Sequence, residues 1–236
     1  MKQLQDKPAG KDDGLQRALV TPMQRRMFMR YAGATAAVTT LLFATTSCDD
    51  DDDTDLDPMA VDLGSGDVGV LNYAYALEQL EAAFYTEVVA KSLGMFSQAE
   101  QQIMQDLKGH EGIHRDFLKA ALGTSSIPDL EVNFSAINFN DKNSILTTAS
   151  TFEDLGVAAY NGAGRLLENA GFLTLAGKIV SVEARHAAVI RDMISNGTFS
   201  DSANNMGLDP AMMPADVLAA AAPFITTKIS ANNLPK

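Results

Sequence analysis

Four glutamates stand where a helical core would place leucines, and that constrains this chain more than any other feature. Apolar residues recur every three to four positions in four stretches, the mark of helices with one buried face. From about Val68 to Lys91, Leu71, Tyr75, Ala82, Tyr85 and Val89 share a stripe with Glu78. From about Ser97 to Leu122, Ile103, Leu107, Leu118 and Ala121 share theirs with Glu111 and His114. From about Ser144 to Asn169, Leu146, Ser150, Val157, Tyr160, Gly164 and Leu167 flank Glu153. From about Leu173 to Ser195, Ala176, Ile179, Ile190 and Met193 flank Glu183 and His186. A carboxylate turned into an apolar core is strongly penalised unless its charge is compensated. No Lys or Arg stands on these stripes, so the pattern calls for cations from outside. A pair of divalent ions would neutralise the four carboxylates.

The spacing supports this. Glu111 and His114, like Glu183 and His186, are three apart, which aims both side chains from one helix face at one point. The order is Glu, Glu-x-x-His, Glu, Glu-x-x-His. Glu78 and Glu111 are 33 positions apart, Glu153 and Glu183 are 30 apart, and a tyrosine (Tyr85, Tyr160) follows each single glutamate by seven. The chain therefore reads as two repeated hairpins with the metal on a pseudo-twofold axis. Ser97 with Glu100 has capping-box spacing, and Gly123, Gly171 and Asn196-Gly197 mark stops or turns. Residues 123–143, with Pro128 and mixed Asn, Asp, Val and Phe, read as a long connection. The expected fold is all-α, a four-helix bundle with one long crossover between its second and third helices.

The segments Leu71–Tyr85, His110–His114, Phe152–Gly156 and Val182–His186 together resemble the ferritin-like superfamily, and within it bacterial ferritin-like domain proteins that include desiccation-related members. The likeness spans roughly residues 68–196. It implies a di-metal carboxylate centre of two Fe ions, with Mn as the alternative. By the resemblance, Glu78 and Glu153 are terminal ligands, Glu111 and Glu183 bridge the metals, and His114 and His186 give each metal one nitrogen. Glu81, one turn from Glu78, could replace it. Glu78 is preferred, because the tyrosine seven residues on matches the third helix, which leaves Glu81 a supporting or solvated charge. Tyr85 and Tyr160 are either core tyrosines or donors to a metal-bound carboxylate. His110 lies about 100° from Glu111 around the helix, which reads as surface or support rather than ligand. The scattered Met residues read as filler.

The first sixty residues read as an address. Residues 1–23 are polar and mixed in charge, and Met23 opens a more regular signal. Basic Arg25-Arg26-Met27-Phe28-Met29-Arg30 precedes a mostly apolar run from Tyr31 to Ala44, the layout of a secretory signal. An uncleaved membrane helix is the alternative, for which the run is short. The arginine pair resembles a twin-arginine signal. Thr45-Thr46-Ser47-Cys48 resembles a lipobox, with Thr45 where Leu is usual. By that resemblance Cys48, the single cysteine, carries acyl chains. The alternative for Cys48 is a buried thiol. Five aspartates, Asp49 to Asp53, follow directly, as in signals that send bacterial lipoproteins to the cell surface. The expected division is an export signal over 1–47, a lipidated acidic tether over 48–67, the bundle over 68–196 and a C-terminal extension over 197–236, with one short helix near Ala215 to Ala222.

Charge excludes one class of partner. At a formal net charge of -12 the chain offers no basic face for nucleic acid. The expected partners are metal ions, dioxygen or peroxide, and a membrane reached through the lipid anchor. A homo-oligomer is compatible with the bundle, whereas a large storage cage is not expected of lipid-tethered subunits. Two functions fit: an exported di-metal oxidoreductase acting on Fe(II), oxygen or peroxide at the bacterial envelope, on its periplasmic side or at the cell surface, or a metal-binding or structural protein with a protective role and no turnover.

Overall fold

A computed structural model describes residues 59–236. The basic signal, Cys48 and the five-aspartate run lie outside the described residues. A short strand β1 (Val61–Asp62) leads into α1 (Gly66–Lys91), α2 (Gln98–Leu122), α3 (Lys142–Ala163) and α4 (Ala170–Ile194). After these come α5 (Pro214–Ala221) and β2 (Ile229–Ser230). Short 3-10 turns close α1, α2, α3 and α5. Among the described residues no helix is long and apolar enough to cross a membrane.

The first hairpin packs α1 on α2, and the second packs α3 on α4. The capping box forms at the start of α2: Ser97 N–H donates to Glu100 Oε2 at 2.8 Å, and Glu100 N–H donates to Ser97 Oγ. The same Glu100 accepts from Lys142 Nζ at 2.7 Å and 2.8 Å, tying the start of α2 to the start of α3.

The helix α1 is buried nearly all round, from Gly69 to Ala82 without a break. A helix apolar on one stripe alone would not be, so something covers its outer face. The crossover does. Asn72 Nδ2 donates to the Ser125 carbonyl, and its Oδ1 accepts from Ile127 N–H. Gln79 Oε1 accepts from Leu130 N–H at 2.7 Å, and Ser92 Oγ donates to the Phe139 carbonyl at 2.6 Å. Polar side chains along α1 thus bind the backbone of a loop that has no ladder of its own, which is how buried loop amides are satisfied. The crossover starts beside Asn72 and ends beside Ser92, so it delivers α3 to the far end of α1. The two helices therefore run antiparallel.

Two helix boundaries differ from expectation. Helix α3 ends at Ala163 rather than near Asn169, and α4 starts at Ala170 rather than Leu173. Asn169 is the cause: its Oδ1 accepts from Gly171 N–H and Phe172 N–H, so Gly171 lies in the first turn of a helix and not in a bend. Asp67 reinforces this by accepting from the Glu168 and Asn169 amides. Within the span 48–67 expected as a tether, the described residues Val61–Asp62 form β1, paired in parallel with β2, and Leu63 is fully buried.

The C-terminal extension is folded onto the bundle. Met212 N–H donates to the Ala158 carbonyl, and the tail crosses α3 so closely at Gly162 that a Cβ there would overlap the Met212 carbonyl. Helix α5, Pro214–Ala221, starts and ends one residue before the short helix expected near Ala215 to Ala222. Beyond it the chain bridges the crossover at Val132 and Ile225 and returns to β1.

Candidate metal centre

Halfway along the bundle the four stripe glutamates meet. Glu78 comes from α1, Glu111 from α2, Glu153 from α3 and Glu183 from α4, and each is at most 1% exposed. His114 and His186 join them one turn along α2 and α4. Their imidazoles point Nδ1 inward. His114 Nδ1 lies 2.7 Å from Glu183 Oε1, 3.5 Å from Glu78 Oε2 and 3.6 Å from Glu111 Oε2. His186 Nδ1 lies 2.8 Å from Glu111 Oε1, 3.2 Å from Glu183 Oε2 and 3.5 Å from Glu153 Oε2.

These atoms form two overlapping groups. Glu78, Glu111, His114 and Glu183 each offer one atom within 4.8 Å of the others, and so do Glu111, Glu153, Glu183 and His186. Glu111 and Glu183 belong to both.

Hydrogen bonding does not account for the cluster. Glu78 Oε2, both oxygens of Glu111, Glu153 Oε2, Glu183 Oε1 and His114 Nδ1 are buried without an aligned partner. Such orphans are rare in folded proteins and call for an explanation. These six belong to the predicted ligands, and the two others of the kind among the described residues are Tyr73 Oη and Glu87 Oε2. Their lone pairs converge on a space between helices, and a donor set of carboxylate oxygen and imidazole nitrogen suits Fe, Mn or Zn. The residues fit a pair of divalent cations.

The outer oxygens are held by tyrosines that cross the bundle. Tyr85 Oη on α1 donates to Glu153 Oε1 at 2.5 Å, and Tyr160 Oη on α3 donates to Glu78 Oε1 at 2.5 Å. Burial, reinforced by the neighbouring carboxylates, pushes both phenols well above their ordinary range. They stay protonated and orient one oxygen of each carboxylate outward, leaving the other for the centre.

Without metal, protons do part of the neutralising. Burial pushes the Glu78 and Glu81 carboxyls well up, and it raises Glu153 to about 8. Against the same desolvation, contact with His114 and His186 pulls Glu111 down to about 2. Burial would lower the two imidazoles, but the carboxylates around each hold both up at about 12. Among the described residues, every ion pair of these four glutamates is to a histidine.

Glu81 is 4% exposed, so it is not a solvated charge. It also stands outside both cation groups, and Glu78 is the α1 residue inside one. Its carboxylate lies against Gly156, where a Cβ would come within 3.1 Å of Oε1. His110 is more than surface: its Nδ1 lies 2.9 Å from His186 Nε2. Sequence spacing could not show this, because the contact runs from α2 to α4.

Comparison with curated proteins returned no match. A family model described as a ferritin-like domain matches residues 66–196, which is more than half of the chain and spans α1 to α4 with the crossover. With the bundle and its buried carboxylate–histidine cluster, that match places the chain in the ferritin-like domain family.

Proposed function

We propose that this protein is an exported, membrane-anchored bacterial lipoprotein whose bundle holds two iron ions, with manganese as the alternative, and that it oxidises Fe(II) or consumes oxygen or peroxide at the cell envelope. The observation that carries the metal half is the set of six buried ligand atoms that converge between four helices without an aligned hydrogen bond, the carboxylates having, among the described residues, only the two histidines as ion-pair partners. Export is supported by the twin-arginine-like run at 25–30, by Cys48 and by the acidic stretch after it.

In this reading Glu78 and His114 hold one cation, Glu153 and His186 hold the other, and Glu111 and Glu183 span both. When bound, such a pair supplies electrons to dioxygen or peroxide. The chain supplies the rest. Tyr85 and Tyr160 fix the outer oxygens of Glu153 and Glu78, so each carboxylate keeps its angle whatever the charge beside it. Glu111 stays ionised through the neutral range and can bridge without first losing a proton. To hold a cation, each histidine would have to give up the proton on Nδ1, so loading would be coupled to pH.

The test is elemental analysis of the purified protein, followed by Fe(II) addition under air or with hydrogen peroxide. About two metals per chain and a catalytic rise in ferric absorbance are expected. Metal without turnover would favour the binding or protective role, and no metal after anaerobic Fe(II) or Mn(II) loading would refute the centre. Labelling with a radioactive fatty acid, lost in Cys48→Ser, tests the anchor.

A further inference from the structure

The two cation positions share their bridges and have matching ligands, yet their surroundings differ. His110 precedes Glu111 on α2, and the position that repeats it before Glu183 on α4 is Val182. One half of the centre therefore has an extra imidazole and the other a side chain that makes no hydrogen bond.

The geometry of that imidazole is specific. His110 Nδ1 and His186 Nε2 are 2.9 Å apart. The ring planes differ by 9° and the centroids are 5.1 Å apart. A face-to-face stack would bring centroids much closer, so the rings lie edge to edge in one plane, joined by a near-linear N–H···N bond. Only one proton arrangement serves both that bond and a ligand. His186 Nδ1 faces Glu111, Glu153 and Glu183, so its lone pair must be free for a cation. The proton of neutral His186 then sits on Nε2 and is donated to His110 Nδ1. His110 itself is exposed, so its other nitrogen can carry its own proton in water. Partners of this kind fix the tautomer and ring orientation of a ligating histidine.

We propose that His110 is a positioning residue for His186, setting the tautomer and tilt that let Nδ1 bind metal, and that it makes the Glu153–His186 position the tighter of the two. This rests on the di-metal reading above. The acceptor nitrogen is the feature that matters, and Asn can offer an oxygen at nearly the same reach while Ala offers nothing.

The experiment titrates Mn(II), anaerobically and by calorimetry, into the full chain and into His110→Ala and His110→Asn. Wild type should show two sites of unequal affinity. His110→Ala should lose about 10- to 100-fold at the tighter site and leave the weaker one unchanged. His110→Asn should recover most of that loss. Melts in chelator measure separately what the bond to buried His186 contributes to the metal-free fold, and there too His110→Asn should recover most of what His110→Ala loses. Equal binding by His110→Ala and wild type would overturn the inference while leaving the centre intact. So would equal losses in the Ala and Asn variants, which would mean that ring bulk and not the acceptor counts. A wild type that binds no Mn(II) would instead remove the di-metal reading and this inference with it.

Discussion

Replacing Tyr160 with Phe removes one oxygen atom and one hydrogen bond and leaves the ring, so no cavity opens. The bond lost is the 2.5 Å donation from Tyr160 Oη to Glu78 Oε1, between residues 9% and 1% exposed. Its worth depends on the charge of Glu78. In the metal-free protein burial pushes that carboxyl well up, toward its neutral form, and a neutral bond contributes about 1 kcal/mol. With a cation bound Glu78 is ionised, and a bond to a charged group contributes about 1.5–3 kcal/mol. The difference, about 0.5–2 kcal/mol, is what metal affinity senses, since the common part cancels between the two states. At 1.4 kcal/mol per decade, Tyr160→Phe should weaken the Glu78–His114 position about 2- to 30-fold. The other position should be spared. Mn(II) calorimetry on the variant would show it, with thermal melts in chelator measuring the common part. Tyr85→Phe should give the mirror image, at the Glu153–His186 position. The reasoning fails if Tyr160→Phe weakens both positions equally, or if its cost is larger without metal than with it.

Three further outcomes are expected. Glu111→Gln or Glu183→Gln should cost both metals, whereas Glu78→Gln should cost one, as elemental analysis after loading and desalting would show. Metal-free protein should be most stable at about pH 5 and weaken toward about pH 9 in melts with chelator: Glu78, Glu81 and Glu153 bind protons more tightly folded than unfolded, so their contribution is complete below their ordinary value of 4.5 and is lost as pH rises, in the case of Glu153 through about 8. The two histidines work in the same direction from 6.5 up to about 12, while Glu111 sets the acid limit, losing its contribution as pH falls from 4.5 toward about 2. Gly162→Ala should lower stability by about 1–3 kcal/mol through the clash with the Met212 carbonyl, while metal stoichiometry stays the same.

The helices and the six convergent side chains were legible because both are local. A stripe with Glu three residues before His is a property of one helix, and four such stripes in order specify a meeting point before any contact is known. What the sequence hid is non-local. Nothing in residues 123–143 announces that Asn72, Gln79 and Ser92 will take up the backbone of that stretch, because those side chains sit on the outer face of α1, where polar residues are ordinarily solvated. The tail was equally opaque: its course across Gly162 depends on a close approach that leaves only a glycine as a trace. The boundary between α3 and α4 was misplaced because Gly171 looks like a stop until Asn169 is recognised as a cap.

On the di-metal reading, the repeated Glu and Glu-x-x-His pattern would give two unlike metal positions. The proposed ligands obey the pseudo-twofold, Glu78 with Glu153, Glu111 with Glu183 and His114 with His186, and so do the tyrosines that donate to them, Tyr85 with Tyr160. The same register pairs Glu81 with Gly156 and His110 with Val182. At Glu81 the asymmetry is steric as well as chemical, since the missing side chain of Gly156 is what gives the Glu81 carboxylate its place. Both departures lie next to a ligand and neither adds a donor to the two cation groups. A change of ligand would alter the metal or its charge, whereas a change beside a ligand alters only affinity and order of filling. In the di-metal reading proposed above, asymmetry confined to the surroundings would let one position fill before the other while both keep the same chemistry.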